Sequence, residues 1–233
     1  HMHGYNTPSI TTGLRGLTCA EIKVVTAKGD QHSGTYGGTI ANPCQVLAEL
    51  LVACKDPKSG KCKVPGFYEG VRRLTAKQKR SLAETPHDDA KYARSLGSPE
   101  VFGERGYSTL ERAGARPTFE VNGMWGGYTG EGVKTVLPCE ASAKVSMRLC
   151  ADQNPAAVLR ALKTYLTEIA PPHAKVTVKK MDNDGQPVLV DPAFPGMKVA
   201  CDAVEKVFGK PPIMALEGGS IPIVADFQSV LKA

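Results

Sequence analysis

Glu140-Ala-Ser-Ala-Lys-Val-Ser-Met-Arg-Leu-Cys150 sets Ala141, Ala143, Val145, Met147 and Leu149 against Ser142, Lys144, Ser146 and Arg148. Side chains of a strand alternate between the faces of its sheet, so this period of two predicts a strand with one face buried and the other solvated. Towards the N-terminus, Leu17-Thr-Cys-Ala-Glu-Ile-Lys-Val-Val-Thr-Ala27 repeats the pattern, with Ala20, Ile22 and Val24 opposed to Glu21 and Lys23. Two more strands are expected, at Pro117-Thr-Phe-Glu-Val-Asn-Gly-Met-Trp125 and from Ala174 to Met181.

Between these strands the chain twice writes Asn-Pro, at Asn42-Pro43 and Asn154-Pro155. Asparagine caps the free N–H groups of a helix start, and proline suits the first turn because its missing N–H is not needed there. The first helix carries Leu47, Leu50, Leu51 and Cys54 on one face; the second carries Val158, Leu162, Tyr165, Leu166 and Ile169 and stops at Pro171-Pro172. The order strand, helix, strand, strand, helix, strand predicts an α+β fold. Its form is a ferredoxin-like βαββαβ sandwich, an antiparallel sheet with two helices on one face.

Two stretches fall outside that pattern. Residues 55–115 open on a turn, Lys55-Asp-Pro-Lys-Ser-Gly-Lys61, and continue as charged, helix-prone sequence from Arg72 to Arg94, broken by Pro86. They are expected to form a helical insertion on the surface. Beyond Pro187, Asp191-Pro192 is expected to open a helix running to about Phe208, and Glu217-Gly-Gly-Ser-Ile-Pro-Ile223 leads into a last helix-like stretch ending at Ala233. The division expected is therefore a tag and linker at 1–14 (His1-Met2 resembling a cleaved expression tag), the sandwich at 15–186, and a helical remnant at 187–233.

The chain has 233 residues, 42% of them hydrophobic and 22% charged, enough to bury a core. No apolar run reaches the roughly eighteen residues of a membrane span and no leader opens the chain, so a cytoplasmic protein is expected. The net charge of +6 is spread along the chain and aromatics are 6%, which argues for a solvated surface over a nucleic-acid site. Seven cysteines (Cys19, Cys44, Cys54, Cys62, Cys139, Cys150 and Cys201) show no C-x-x-C pair and are read as buried thiols. The five histidines (His1, His3, His32, His87 and His173) lack metal-ligand spacing. Glycine clusters at Gly34-Thr-Tyr-Gly-Gly38, from Gly123 to Gly132 and at Gly218-Gly219 either let backbone approach a ligand or make ordinary turns.

Gly13-Leu-Arg-Gly-Leu17 followed by Gln31-His-Ser-Gly-Thr-Tyr-Gly-Gly-Thr-Ile-Ala-Asn-Pro43 resembles the start of the lid domain in carnosinase-like di-zinc metallopeptidases, a group of dipeptidases, aminoacylases and desuccinylases. Val64-Pro-Gly-Phe-Tyr68, Lys134-Thr-Val-Leu-Pro138, Val145-Ser-Met-Arg-Leu149 and Glu217-Gly-Gly-Ser-Ile-Pro222 resemble further blocks of that family in the same order.

The resemblance implies roles that spacing alone does not. His32 would reach into the partner subunit and stabilise the oxyanion of the substrate carbonyl, and Thr135 would contact substrate from the same side. Arg148 would anchor the substrate's terminal carboxylate, a task suited to a planar guanidinium, with Gly219 and Ser220 adding donors. Taken as residues alone, His32 is equally a loop histidine, Arg148 a sheet-face ion-pair former and Ser220 a helix cap.

The resemblance further implies a homodimer formed through the lid and a dipeptide or acyl-amino-acid substrate. It also implies two zinc (or manganese) ions in the parent enzyme, whose ligands would lie before residue 1 and beyond Ala233. No metal ligand or cofactor site is expected within the chain, which alone would be inactive. The alternative from a different class is a non-enzymatic dimerisation or small-anion-binding module.

Overall fold

The computed structural model describes residues 2, 7–191 and 193–231. His1 of the expected tag, His3, Pro192 and the terminal Ala233 lie outside the described residues.

The alternating stretches form the central strands of one antiparallel sheet. Strand β2 (Gly16–Val25) pairs along its whole length with β6 (Glu140–Leu149), from Gly16↔Leu149 to Val25↔Glu140. The expected strand at 117–125 is β4 (Thr118–Gly126), and the one at 174–181 is β7 (Lys175–Gly185), which ends four residues beyond the expected Met181. Their order across the sheet is β4-β6-β2-β7, that of the ferredoxin-like sandwich. Helices α2 (Pro43–Cys54) and α6 (Pro155–Glu168) cover one face. The caps form as the sequence predicts: the Asn42 side chain accepts from the Cys44 N–H and the Asn154 side chain from the Ala157 N–H.

Between helices and sheet lies one core, built from Ala20, Ile22 and Val24 of β2, Ala143, Val145, Met147 and Leu149 of β6, and Leu47, Leu50 and Leu162 of the helices. Burying the Val, Ile, Leu and Met side chains among these stabilises by about 1.5–3 kcal/mol each before chain entropy is counted. The opposite face is polar and carries Arg148.

The sheet's two edges differ. Along β7, Lys175, Lys179 and Lys180 are exposed, the charged blunting that keeps an edge from pairing. Along β4, Val121, Met124 and Trp125 are about half exposed, and Asn122 forms a bulge where the register steps from Val121↔Val145 to Gly123↔Lys144.

A second sheet arises where the sequence showed no strand. Ser9–Leu14, inside the stretch expected to be tag and linker, is strand β1. It pairs parallel with β9 (Ile213–Glu217) and antiparallel with the two-residue β8 (Val188–Leu189). Part of 187–233 thus folds back onto the start of the chain, and helix α8 (Pro222–Leu231) lies against β7. Helix α7 (Pro195–Phe208) starts three residues beyond the expected Pro192, at the next proline, with Phe194 as its cap residue. Val199, Phe208 and Ile223 on these helices, and Ile221 just before α8, remain exposed.

Residues 55–115 hold three short helices, α3 (Ala76–Ala83), α4 (Asp89–Ser95) and α5 (Thr109–Gly114). Both α3 and α5 pack on β9, and the Met214 N–H donates to the Ser81 hydroxyl at 3.2 Å. A knot of side chains braces the segment. Arg116 forms a two-point ion pair with Glu104, Nε to Oε2 at 2.7 Å and Nη2 to Oε1 at 2.8 Å, between the rings of Tyr68 and Tyr107.

Candidate functional site

The expected site residues gather into two separate pairs. The first is His32 with Thr135. Two-residue strands β3 (Gln31–His32) and β5 (Val136–Leu137) pair antiparallel, His32 opposite Val136, and the Ser33 N–H donates to the Thr135 carbonyl at 3.1 Å. The Cys139 N–H donates to Asp30 Oδ1 at 2.9 Å, which fastens the two loops together and holds the Asp30 carboxyl below the usual carboxylate range.

His32 is the cap residue of the single-turn helix α1 (Ser33–Tyr36). Its Nδ1 accepts from the Gly34 N–H at 3.1 Å, so in the neutral ring the proton sits on Nε2, which stands 3.3 Å from Thr135 Oγ1. The ring is exposed and presents a donor. A Cβ at Gly34 would lie 2.9 Å from His32 Cε1, so any larger residue there would displace the ring.

The second pair is Arg148 with Ser220. Arg148 Nη1 donates to Ser220 Oγ at 2.8 Å, and the Ser220 hydroxyl donates to the Arg15 carbonyl at 2.6 Å. That hydroxyl's proton is engaged, so the donors left at this loop are main-chain: among the described residues neither the Gly219 nor the Ser220 N–H has a partner. A Cβ at Gly219 would meet nothing within 4 Å, leaving open space above the loop. A helix cap by the Ser220 hydroxyl, the alternative role, does not form here.

Both pairs stand at the ends of β6, the first beside Glu140 and the second at Arg148. Eight residue steps at about 3.4 Å each separate those ends, roughly 27 Å. Surface concavities of about 310 and 290 Å³ lie elsewhere, one over α6 and one beside Lys55 and Arg116, and none of His32, Thr135, Arg148 or Ser220 lines them. Among the described residues no group of three or more His, Cys, Asp or Glu side chains could hold a metal ion, so the implied metals find no ligand set there. No helix of the described residues is long and apolar enough to cross a membrane.

Sequence reasoning left two supports of these pairs unassigned, Asp30 and Arg15. The signal for Arg15 was present in Gly13-Leu-Arg-Gly-Leu17, an arginine between glycines at a break between strands.

Against known proteins, the family profile described as the Peptidase dimerisation domain, of the M20 type, matches residues 12–174. The chain is 28% identical to the Cys-Gly metallodipeptidase dug1 of Schizosaccharomyces pombe over 232 residues, covering 98% of this chain and 48% of that protein. It superposes on the crystal structure of human carnosine dipeptidase 1 with a TM-score of 0.80 at 28% identity, covering 97% of this chain and 48% of that one. The M20 family metallo-carboxypeptidase Sso-CP2 of Sulfolobus solfataricus gives the same TM-score and identity over 93% of this chain and 55% of that one. The chain spans about half the length of the curated relatives it matches. A sandwich of β4-β6-β2-β7 order, carrying the lid blocks and matched by the profile over most of its length, belongs to the M20 peptidase dimerisation-domain family.

Proposed function

We propose that this chain is the lid and dimerisation part of a metal-dependent dipeptidase or carboxypeptidase-like hydrolase. It would act as a homodimer on dipeptides or acyl-amino acids that carry a free carboxylate. The observation that carries the reading is the separation of the two pairs along β6.

In a dipeptide the scissile carbonyl and the terminal carboxylate are one residue apart, about 3.8 Å from Cα to Cα. An oxyanion donor and a carboxylate anchor that stand near opposite ends of β6, ends roughly 27 Å apart, cannot serve the same substrate molecule. A second copy resolves this. The apolar β4 edge, against the lysine-lined β7 edge, favours pairing of β4 with its twofold mate. Antiparallel pairing runs the Gly126 end of one β4, near His32, alongside the Thr118 end of the other, whose register partner is Arg148. The His32 of one copy is thereby carried towards the Arg148 of its mate.

In this arrangement Arg148 takes the carboxylate through its remaining N–H groups, its guanidinium steadied by Ser220, while the Gly219 and Ser220 N–H groups supply main-chain donors. The long 3.3 Å contact of His32 Nε2–H with Thr135 Oγ1 gives way to a hydrogen bond from Nε2–H to the carbonyl oxygen as negative charge grows there, Thr135 having oriented the ring beforehand. These groups bind and orient. Neither pair includes a group placed to activate water, so the reading has the chain inactive by itself. The names Cys-Gly metallodipeptidase and Beta-Ala-His dipeptidase, borne by relatives, describe substrates with the free carboxylate this site would take.

The test is subunit complementation in the longer enzyme the reading calls for. Homodimers of His32→Ala and of Arg148→Ala should both be inactive. Mixed dimers should regain activity, because the His32→Ala copy keeps its own Arg148 and borrows the other's His32. Mixed dimers without activity would show that His32 acts within its own chain and would overturn the reading.

A further inference from the structure

Arg15 occupies the single residue between β1 and β2, and among the described residues its side chain hydrogen-bonds to main-chain oxygens alone. Nε donates to the Gly218 carbonyl at 3.1 Å; Nη1 donates to the carbonyls of Arg116 at 3.3 Å and Arg112 at 3.4 Å. No carboxylate is hydrogen-bonded to it among the described residues, and burial pushes its pKa down from the ordinary arginine value. A half-buried guanidinium held by carbonyls works through shape. Its rigid planar fork spans acceptors on separate segments, which an ammonium on a flexible stem does not.

Those acceptors join two parts of the molecule. Gly218 opens the loop that ends at Ser220, whereas Arg112 lies in α5, within the stretch the sequence presents as a surface insertion, and Arg116 follows it at the start of the segment leading to β4. The contact is close enough to require glycine on both sides. A Cβ at Gly218 would lie 2.6 Å from the Ala113 carbonyl oxygen and 2.7 Å from Arg15 Nη2, and one at Gly114 would lie 2.3 Å from the Leu216 carbonyl oxygen. At the far end of the loop, the Arg15 carbonyl accepts the Ser220 hydroxyl, itself the acceptor for Arg148. One residue therefore grips Gly218 with its side chain and Ser220 with its main chain.

We propose that Arg15 is the positioning residue of the Gly218-Gly219-Ser220 loop, clamping it to α5 so that Ser220 and the loop N–H groups face a carboxylate held by Arg148. This rests on the reading of Arg148 given above. The segment 55–115 is then the abutment of the carboxylate site.

The experiment is titration of this chain with N-acetylglycine, followed through the Arg148 side-chain Nε–H resonance, with N-acetylglycinamide as the uncharged control. Wild type should respond to the acid and not the amide, and Arg148→Met should abolish the response. Arg15→Lys keeps the charge but loses the fork. It should weaken binding about tenfold or more, the scale of a lost charge-assisted hydrogen bond, while thermal unfolding stays cooperative. Gly218→Ala, with Arg15 intact, should do the same and decides the matter if Arg15→Lys does not fold. Unchanged affinity in a folded Arg15→Lys or Gly218→Ala, with Arg148→Met still silent, overturns the Arg15 role alone. A wild type that ignores the acid, or an Arg148→Met that still binds it, overturns the Arg148 reading and this proposal with it. Loss of folding in both Arg15→Lys and Gly218→Ala would make Arg15 a folding residue and overturn the positioning role.

Discussion

His32 Nε2 and Thr135 Oγ1 stand 3.3 Å apart although 103 residues separate them in the chain. The pairing of β3 with β5 brings them together, and the Gly34 N–H fixes which ring nitrogen faces the hydroxyl.

Gly34→Ala should disturb that arrangement without unfolding the chain, since the added Cβ meets the ring of His32 at 2.9 Å and no core side chain. Nitrogen-15 shifts of the imidazole should report the Nε2–H tautomer in wild type and a mixture in the variant. A wild-type ring in the Nδ1–H form would refute the hydrogen-bond assignment.

Val121→Lys places a charge on the apolar edge of β4, where the side chain is 45% exposed. Sedimentation velocity should show a dimer for wild type and a monomer for the variant, because a lysine on an edge strand opposes pairing. A variant that remains dimeric would move the interface away from this edge.

Glu104→Gln removes the partner of Arg116, whose side chain is 13% exposed against 12% for Glu104. Leaving one charge of a largely buried pair uncompensated costs about 3 kcal/mol or more. Urea unfolding should show a correspondingly lower midpoint with an unchanged slope.

Burial pushes the thiols of Cys54, Cys62 and Cys150 from 9.0 up to about 12. Folded values above the unfolded one mean that the protonated thiols support the fold fully below about pH 9 and lose that support as pH rises towards 12. Each should steepen the alkaline fall in stability by about 1.4 kcal/mol per pH unit in that window. Cys150→Ala should flatten the fall by one such increment, measured by urea titration at several pH values. Iodoacetamide at pH 8 should spare all three thiols until urea exposes them.

The sandwich was legible because its signals are local. Five alternating apolar residues in 140–150 and two Asn-Pro caps each state their element within a dozen positions. The second sheet was not, because Ser9–Leu14 is six residues with no clean alternation and owes its strand form to Ile213–Glu217. The candidate site divides in the same way. His32, Thr135, Arg148 and Ser220 could be named from the blocks that contain them, and the structure places them in two pairs. Arg15 takes its meaning from three carbonyls up to about two hundred positions away, which no spacing rule reaches.

The parallel pairing of β1 with β9 also sets an order of events at the ribosome. Ser9–Leu14 is synthesised about two hundred residues before Ile213–Glu217, a wait on the order of ten seconds or more at about 5–20 residues per second. In that interval β2, β6 and β7 can complete their own sheet, so β1 is made before them and matched to β9 after them. A nascent chain stalled before Ile213 would carry a finished sandwich and a β1 without its β9 partner, a form exposed to chaperones and to premature pairing with a neighbour.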